Sequence, residues 1–550
     1  MREVLVVIPA RGGSKGIPRK NVRLLAGIPL IAHAIRTSRA AQTVRRVVVT
    51  TDDEEIATIA RRYGAEVIQR PPALAEDAVT LDPVVYHAVT TLEADQRYRP
   101  DIVVTVQPTS PLLRAQTINR AVELLRSGRF DTVISVVEDT HLFWTRNKAG
   151  QYVPMYESRL NRQFLPPMYR ETGAILASRR QVITPESRIG PRVTLVELPP
   201  EEAVDIDTHF DWWMAEKSLA RRRVVLRTDG SHQIGLGHVY RCLTLASRIL
   251  DHEVTFVMSS DLTLGTSLVR QHHYSVVESK GDPLETIRRL SPDIVINDIL
   301  DTTSDYVDAL REMGAFVVNF EDLGAGAVRA HLVVNSLYDS PVPLPNHVWG
   351  PEYACLREEF YSAPTKRVQP EVRQVLLTFG GVDQGNLTIK VLRALDEVPG
   401  GFQVDVILGL GYAHSEELRT LRPGLRRPPR IHHNVRSMSE YIHKADLVIT
   451  SAGRTVLEVA AIGTPCLVLA QNEREMRHLH ARSENGVVNL GLGHQVPEAF
   501  LVATLRELVE NVELRREMNR RLLALDVRGG CERVVELIIS RYRAFEKERS

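Results

Sequence analysis

A chain of 550 residues is too long for one compact core and, at roughly 150 residues per domain, predicts three or four. Apolar residues at 43%, charged residues at 25% and ordinary Gly and Pro usage exclude disordered, collagen-like and coiled-coil chains. With 69 Lys and Arg against 68 Asp and Glu the net charge is +1, so bulk electrostatics favour neither nucleic acid nor an anionic membrane, and an anionic ligand must be held locally. The four cysteines, Cys242, Cys355, Cys466 and Cys531, form no CxxC pair, which argues against a zinc site or disulfide framework and for a reducing cytoplasm. The opening MREVLVVIPARGG is too short in apolar residues for a signal sequence. VAAIGTPCLVLA at 459–470 falls short of the ~18 residues of a membrane span, so a soluble cytoplasmic protein is expected.

In chain order, short β-branched runs alternate with amphipathic ones from the start: VLVVIPA, LIAHAIRTSRAA, RRVVVTT, DEEIATIARRYG and AEVIQR. That alternation predicts βαβ units on a mostly parallel sheet. DIVVTVQP and DTVISVVE add strands, with AQTINRAVELLRSG as a helix between them, giving one Rossmann-like α/β domain over 1–222. After the basic cluster at 221–223, VVLRTDGS restarts the pattern, followed by VTFVMSS, YSVVES, DIVINDI and AFVVNF. The polar segment YSAPTKRVQPEVRQ interrupts it near 366, and VLLTFGG, FQVDVILG, ADLVITSAG and PCLVLA resume it. Two further Rossmann-like lobes, 223–366 and 367–550, are therefore expected, with ligands at the carboxyl ends of their strands in the cleft between them.

IPARGGSKGIPRKN places Gly12, Gly13 and Gly16 with Arg11, Lys15, Arg19 and Lys20 in a loop after the first strand. Glycines admit phosphates to the backbone and the cations neutralise them, although a solvated basic turn has the same composition. The segment is neither a Walker A loop nor a GxGxxG fingerprint. Asp205 and Asp207, spaced i, i+2 in an extended segment, share one face in a manner suited to Mg2+, a weak signal taken alone. Gln107 and Ser110 end a strand where amide and hydroxyl reach the carboxyl edge of the sheet.

IPARGGSKGIPRKN, VVTTDDEEIA at 48–57, QPTSPLLR at 107–114, NRQFLPPMYRETGAI at 161–175 and DIDT at 205–208 together resemble the acylneuraminate cytidylyltransferases. The resemblance spans essentially all of 1–222 and implies a nucleotidyltransferase domain. It also implies transfer of CMP from CTP to the anomeric hydroxyl of a nine-carbon 2-keto acid, with release of pyrophosphate. It implies Arg11, Lys20 and Asp207 in catalysis, Mg2+ on Asp205 and Asp207, and substrate contacts from Gly12, Ser14, Lys15, Asn21, Asp52, Gln107, Thr109 and Ser110. Arg170 is the candidate for the acid's carboxylate because a planar guanidinium meets it bidentately, with Arg162 and Gln163 as second candidates. A homodimer is implied as well, and 3-deoxy-manno-octulosonic acid is the alternative acceptor.

RTDGSHQIGLGHVYRCLTLA follows a strand with Gly235 and Gly237, then places His238 in the first turn of a helix. That position suits a general base facing the cleft, and equally a polar helix start bonded to backbone. With WGPEYACLREEF at 349–360, LLTFGGVDQGN at 376–386 and ADLVITSAGRTVLEVAAIGTPCLVLA at 445–470, it is similar to the UDP-sugar hydrolase of pseudaminic acid biosynthesis, a GT-B-like enzyme. The resemblance implies UDP held mainly by the last lobe and a water, activated by His238, attacking C1 of the sugar. Asp229, Gly237, Gly380, Gly381, Ser451, Gly453, Thr455 and Asn472 are the implied contacts, with Glu458 accepting from ribose hydroxyls. A bifunctional enzyme supplying CMP-activated nonulosonic acids is expected, of sialic, legionaminic or pseudaminic type. A GT-B glycosyltransferase and a non-catalytic nucleotide-binding module are the alternatives for the second half.

The pairs His272 with His273, His432 with His433 and His478 with His480 lack i, i+4 metal spacing and are expected to be solvated. Trp212 and Trp213 are expected as packing anchors, and ELRREMNRRLLALDVRGG as an amphipathic surface helix closing the last lobe.

Overall fold

The computed structural model describes residues 3–13, 16–231, 235–338, 344–433, 435 and 437–549. The chain folds as two units, the first ending at Arg221 and the second beginning at Arg222.

Alternation along Val4–Pro9 builds the first unit from both faces of its sheet. Val4, Val6 and Ile8 pack with Ile31, Ile35, Ile118 and Val122 of one helical layer, while Leu5 and Val7 pack with Val85, Val89 and Leu92 of the other. A strand buried on both faces reads as an unbroken apolar run, which is why these strands are legible in the sequence. Seven strands pair in the order Val193–Glu197, Thr132–Glu138, Tyr169–Arg179, Ile102–Val106, Val4–Pro9, Arg46–Thr51 and Glu66–Gln69. Tyr169–Arg179 runs antiparallel to both neighbours, and the other pairings are parallel. The ladder shifts register between Glu171 and Leu176, around Gly173, whose φ of 72° favours a residue without Cβ. Two helix starts in this unit carry side-chain caps. Asp53 accepts from the Ile56 N–H at the head of Glu54–Arg62, and Thr208 with Asp211 forms a capping box at the head of His209–Leu219. Trp212 packs beside Ile17, Leu25 and Ile206 as expected of an anchor, whereas Trp213 is 53% exposed, on the outer face of the same helix.

The second unit holds two all-parallel sheets. The first runs Val276–Ser279, Glu253–Ser259, Arg223–Thr228, Ile294–Asp298, Phe316–Phe320, Leu332–Asn335, His347–Trp349. The second runs Arg430–His433, Gln403–Leu408, Gln374–Thr378, Leu447–Thr450, Cys466–Ala470, Val487–Leu492. His347–Trp349 and Arg430–His433 are edge strands, short and half-polar, and give no hydrophobic run to detect. The boundary expected at 366 separates the sheets but not the last helix. Gly530–Arg549 lays Cys531, Val534, Ile538 and Tyr542 into the core of the first lobe beside Leu226 and Ile296. The preceding helix, Val512–Leu523, is amphipathic but buries Arg515 completely, its guanidinium donating to the carbonyls of Leu508, Val509, Gln369 and Pro370. Among the described residues no helix is long and apolar enough to cross a membrane, and all four cysteines are buried free thiols.

Candidate functional site

In the first unit the segment after Val4–Pro9 folds back over the carboxyl edge of the sheet. Buried Asn21 donates from Nδ2 to the Arg11 carbonyl at 3.0 Å, and the Gly12 N–H donates to Asp52 Oδ1 at 3.2 Å. A Cβ on Gly12 would run into the Asp53 carboxylate, and one on Gly16 into the Asp207 carbonyl oxygen, so close approach demands glycine at both. Lys20 Nζ donates to the Ile206 carbonyl at 2.5 Å and to Asp207 Oδ1 at 3.2 Å, joining the Gly-rich loop to the DIDT segment. Arg11 pairs with Asp77 at 2.8 Å. Ser14 and Lys15 lie outside the described residues.

The Ile206 N–H donates to the Thr109 carbonyl at 2.8 Å, which brings Asp205 against the 107–110 turn. Asp205 Oδ1 and the hydroxyls of Thr109 and Ser110 are buried together at this turn, with the Thr109 hydroxyl beside the Asp205 carboxyl. Burial pushes the Asp205 carboxyl above its ordinary range. The Thr109 hydroxyl beside it offsets only part of that shift, and Asp205 with Asp207 offers the hard oxygen donors that suit Mg2+. Among the described residues no third His, Cys, Asp or Glu completes a metal cluster. Gln107 lies against Gly173, where a Cβ would meet its amide nitrogen at 2.9 Å. Arg170, 57% exposed, donates from Nε to Asp139 Oδ2 at 3.0 Å, and this bond holds the Asp139 carboxyl below its ordinary range. Arg162 and Gln163 stand on the exposed turn Arg162–Phe164, where the Arg162 carbonyl accepts from the Leu165 N–H at 3.2 Å, and their side chains make no hydrogen bond or ion pair with the described residues.

In the second unit a cavity of about 310 Å3 opens between the two lobes, a size typical of small-ligand sites. Gly237, Gly380, Gly381, Ser451, Gly453, Thr455, Glu458 and Asn472 all line it. Gly380 adopts a φ of 75° directly after Gln374–Thr378, and Thr455–Ile462 begins beside the cavity. Glu458 is engaged by Arg357 at 3.1 Å, and Asn472 Oδ1 accepts from the Glu475 N–H at 3.0 Å. Asp229 is not part of the wall. Its oxygens accept from the Ser259 N–H at 2.8 Å and the Arg227 guanidinium at 2.5 Å, so it braces the first lobe rather than facing a ligand.

His238, next to Gly237 on Gly237–Arg248, hydrogen-bonds through Nδ1 to Asp298 Oδ1 at 2.5 Å. Asp298 ends the strand Ile294–Asp298, is fully buried, and also takes both arms of Arg241 at 2.6 Å. Burial pushes the Asp298 carboxyl up, but Arg241 and then His238 outweigh it and hold the carboxyl well below its ordinary range. An ionised carboxylate only accepts, so Nδ1 carries a proton toward Asp298, and Nε2 has no protein partner among the described residues. Arg241 donates onward to Glu321 at 2.9 Å.

Asp298, Arg241 and Glu321 are absent from the motif reading. An acid closing DIVINDI at the carboxyl end of a strand, and an arginine one turn after His238, are the signals that point to the first two. The histidines at 478 and 480 are not solvated as expected, being 7% and 1% exposed. They hydrogen-bond the carbonyls of Ala452 at 2.8 Å and Gly453 at 3.0 Å, bracing the cavity floor, and burial lowers His480 to about 3.

Fold and sites together define an α/β protein with a nucleotidyltransferase-like unit and a second unit of two Rossmann-like lobes around a cleft. The cytidylyltransferase family model matches residues 5–176, and the glycosyltransferase family 28 C-terminal domain model matches residues 375–528. CMP-N,N'-diacetyllegionaminic acid synthase of Legionella pneumophila is 36% identical over 231 residues, covering 39% of this chain and 96% of that protein. N-acylneuraminate cytidylyltransferase A of Danio rerio is 35% identical over 228 residues, covering 40% of this chain and 51% of its own length, so the chain spans about half of that relative. Spore coat polysaccharide biosynthesis protein SpsG of Bacillus subtilis is 25% identical over 309 residues, covering 53% of this chain and 90% of that protein. The chain belongs, through its first unit, to the cytidylyltransferase family that includes the acylneuraminate and legionaminic acid enzymes, and its second unit is a GT-B-like half.

Proposed function

We propose that the first unit transfers CMP from CTP to the anomeric hydroxyl of a nonulosonic acid. The acceptor oxygen bonds to the α-phosphorus, the bond to the β-phosphate oxygen breaks, and pyrophosphate leaves with the electron pair. The hydroxyl proton passes to solvent. The observation that carries this reading is the junction of Lys20 with Asp207, which sets a cation, two carboxylates and a Gly-rich backbone at one sheet edge. Asp205 and Asp207 would hold Mg2+, which when bound neutralises charge developing on the departing pyrophosphate. Lys20 and the loop amides do the same from the protein side. Arg170, exposed and in reach of exchange from Asp139, is the partner for the acid's carboxylate. The names of the cytidylyltransferase relatives favour a nine-carbon acid over 3-deoxy-manno-octulosonic acid. Exposed Trp144, Tyr152, Phe164 and Met168 favour a homodimer, which sedimentation tests.

For the second unit the reading is hydrolysis of a UDP-diacetamido-trideoxyhexose. His238 Nε2 takes a proton from water, the water oxygen bonds to C1, and the C1–oxygen bond to the diphosphate breaks. Asp298 holds the imidazole in the required tautomer. The family 28 match favours a second reading, sugar transfer to an acceptor. Incubation with CTP, Mg2+ and N-acetylneuraminic, legionaminic and pseudaminic acids, read by pyrophosphate release and CMP-sugar mass, tests the first unit. Silence across the panel with CTP bound refutes the acceptor class. For the second unit, turnover in H2(18)O should label the sugar and not UDP. Sugar transfer exceeding hydrolysis once an acceptor is added would replace hydrolase with transferase.

A further inference from the structure

Two arginines, Arg357 and Arg454, line the cavity of the second unit, while Arg241 lies buried and Arg474 is paired outside the lining. Arg241 is held by Asp298 and Glu321, Arg357 by Glu359 and Glu458, and Arg474 by Asp301. Arg454 differs. Its side chain lines the cavity and donates to two carbonyls, Gly237 at 2.9 Å and Cys355 at 2.6 Å, and no carboxylate lies within ion-pair distance among the described residues. Burial and the nearby Arg241 charge both work against its ionisation, while the acids that favour it, Asp298 and Glu458, are already paired elsewhere. Glu475, also in the cavity wall, accepts from the Gln471 N–H at 2.8 Å and forms no ion pair with Arg454. Two carbonyls occupy two of the guanidinium's donors and leave the rest uncommitted. A half-buried cation without an acid is favoured when an anion reaches it.

We propose that Arg454 contacts the distal phosphate of the nucleoside diphosphate sugar and supplies positive charge to the diphosphate as it leaves. This rests on the sugar-nucleotide reading of the second unit. Of the two arginines in the cavity wall, Arg357 is paired with Glu359 and Glu458, so beside Gly380, Gly381, Gly453 and Thr455 it is Arg454 whose charge is available to a phosphate. As the bond from C1 to the phosphate oxygen breaks, the electron pair stays on the diphosphate, where the guanidinium balances it without giving up a proton. Because the same guanidinium holds the carbonyl of Gly237, the residue before His238, it links the phosphate position to the turn that carries the base.

The test is calorimetric binding of uridine, UMP and UDP to the full-length wild type, Arg454→Gln and Arg454→Lys, with melting midpoints measured in parallel. Wild-type binding is read first. Absence of UDP binding there removes the sugar-nucleotide reading and this proposal with it. Given wild-type binding, Arg454→Gln should weaken UDP by about tenfold or more while uridine changes by less than about twofold. Arg454→Lys should recover part of the loss, since the point charge remains but the fork does not. Unchanged UDP affinity in Arg454→Gln, or an equal loss for UDP and uridine, overturns the proposal, the latter marking a purely structural role.

Discussion

Replacing Asp298 by alanine tests the buried network behind His238. Asp298 is fully buried and accepts from both arms of Arg241 at 2.6 Å and from His238 at 2.5 Å. Truncation leaves Arg241, 2% exposed, with Glu321 as its remaining acid. Removing one member of a buried ion pair costs about 3–5 kcal/mol, chiefly the penalty of stranding the other charge. At roughly 2 °C per kcal/mol for a unit of this size, the melting midpoint should fall by about 6–10 °C, which calorimetry on the full chain reads. The pH dependence has a definite sign. Arg241 and His238 hold the folded carboxyl below its unfolded value of about 3.9, so its contribution is complete above that pH and is lost as pH falls through it toward the lower folded value. The gap between wild type and Asp298→Asn should therefore be present at neutral pH and close below about pH 4. A midpoint lowered by less than about 2 °C, or a gap that persists in acid, would refute the ionised, charge-holding role of Asp298.

Asp207→Ala and Lys20→Met should each lower CMP transfer by about 10²–10³ with little change in stability for Asp207→Ala, whose side chain is 75% exposed; transfer rates beside melting curves check both. Gly16→Ala drives a Cβ into the Asp207 carbonyl and should cost about 1–3 kcal/mol together with CMP transfer, read by urea unfolding and pyrophosphate release. Arg170→Lys should raise KM for the nonulosonic acid and leave KM for CTP unchanged, which initial-rate kinetics separates. His238→Gln should slow hydrolysis by about 10²–10⁴ while UDP affinity measured by calorimetry stays put.

Strands sandwiched between helical layers announce themselves, because burial on both faces forces continuous β-branched runs such as Val4–Pro9, Ile294–Asp298 and Cys466–Ala470. Glycine-rich loops after those strands are equally legible, since a Cβ at Gly16 would meet the Asp207 carbonyl and the φ of Gly380 favours glycine. Linear order was therefore enough for the α/β class and for most of the residues that line the cavity. Tyr169–Arg179 is not an apolar run because its first three residues, Tyr169, Arg170 and Glu171, are exposed, and Arg430–His433 is not because an edge strand need not be apolar. Where Gly530–Arg549 packs was also hidden, because an amphipathic stripe states that a face is buried but not which core receives it. The same holds for chemistry. A histidine in a glycine-rich loop is visible in one dimension, but its orientation depends on Asp298, 60 residues away, and on Arg241 and Glu321 behind it. Ionic pairing is a matter of distance in space, so the paired roles of Asp229 and Glu458, and the unmatched charge of Arg454, emerge only once the strands and helices are packed.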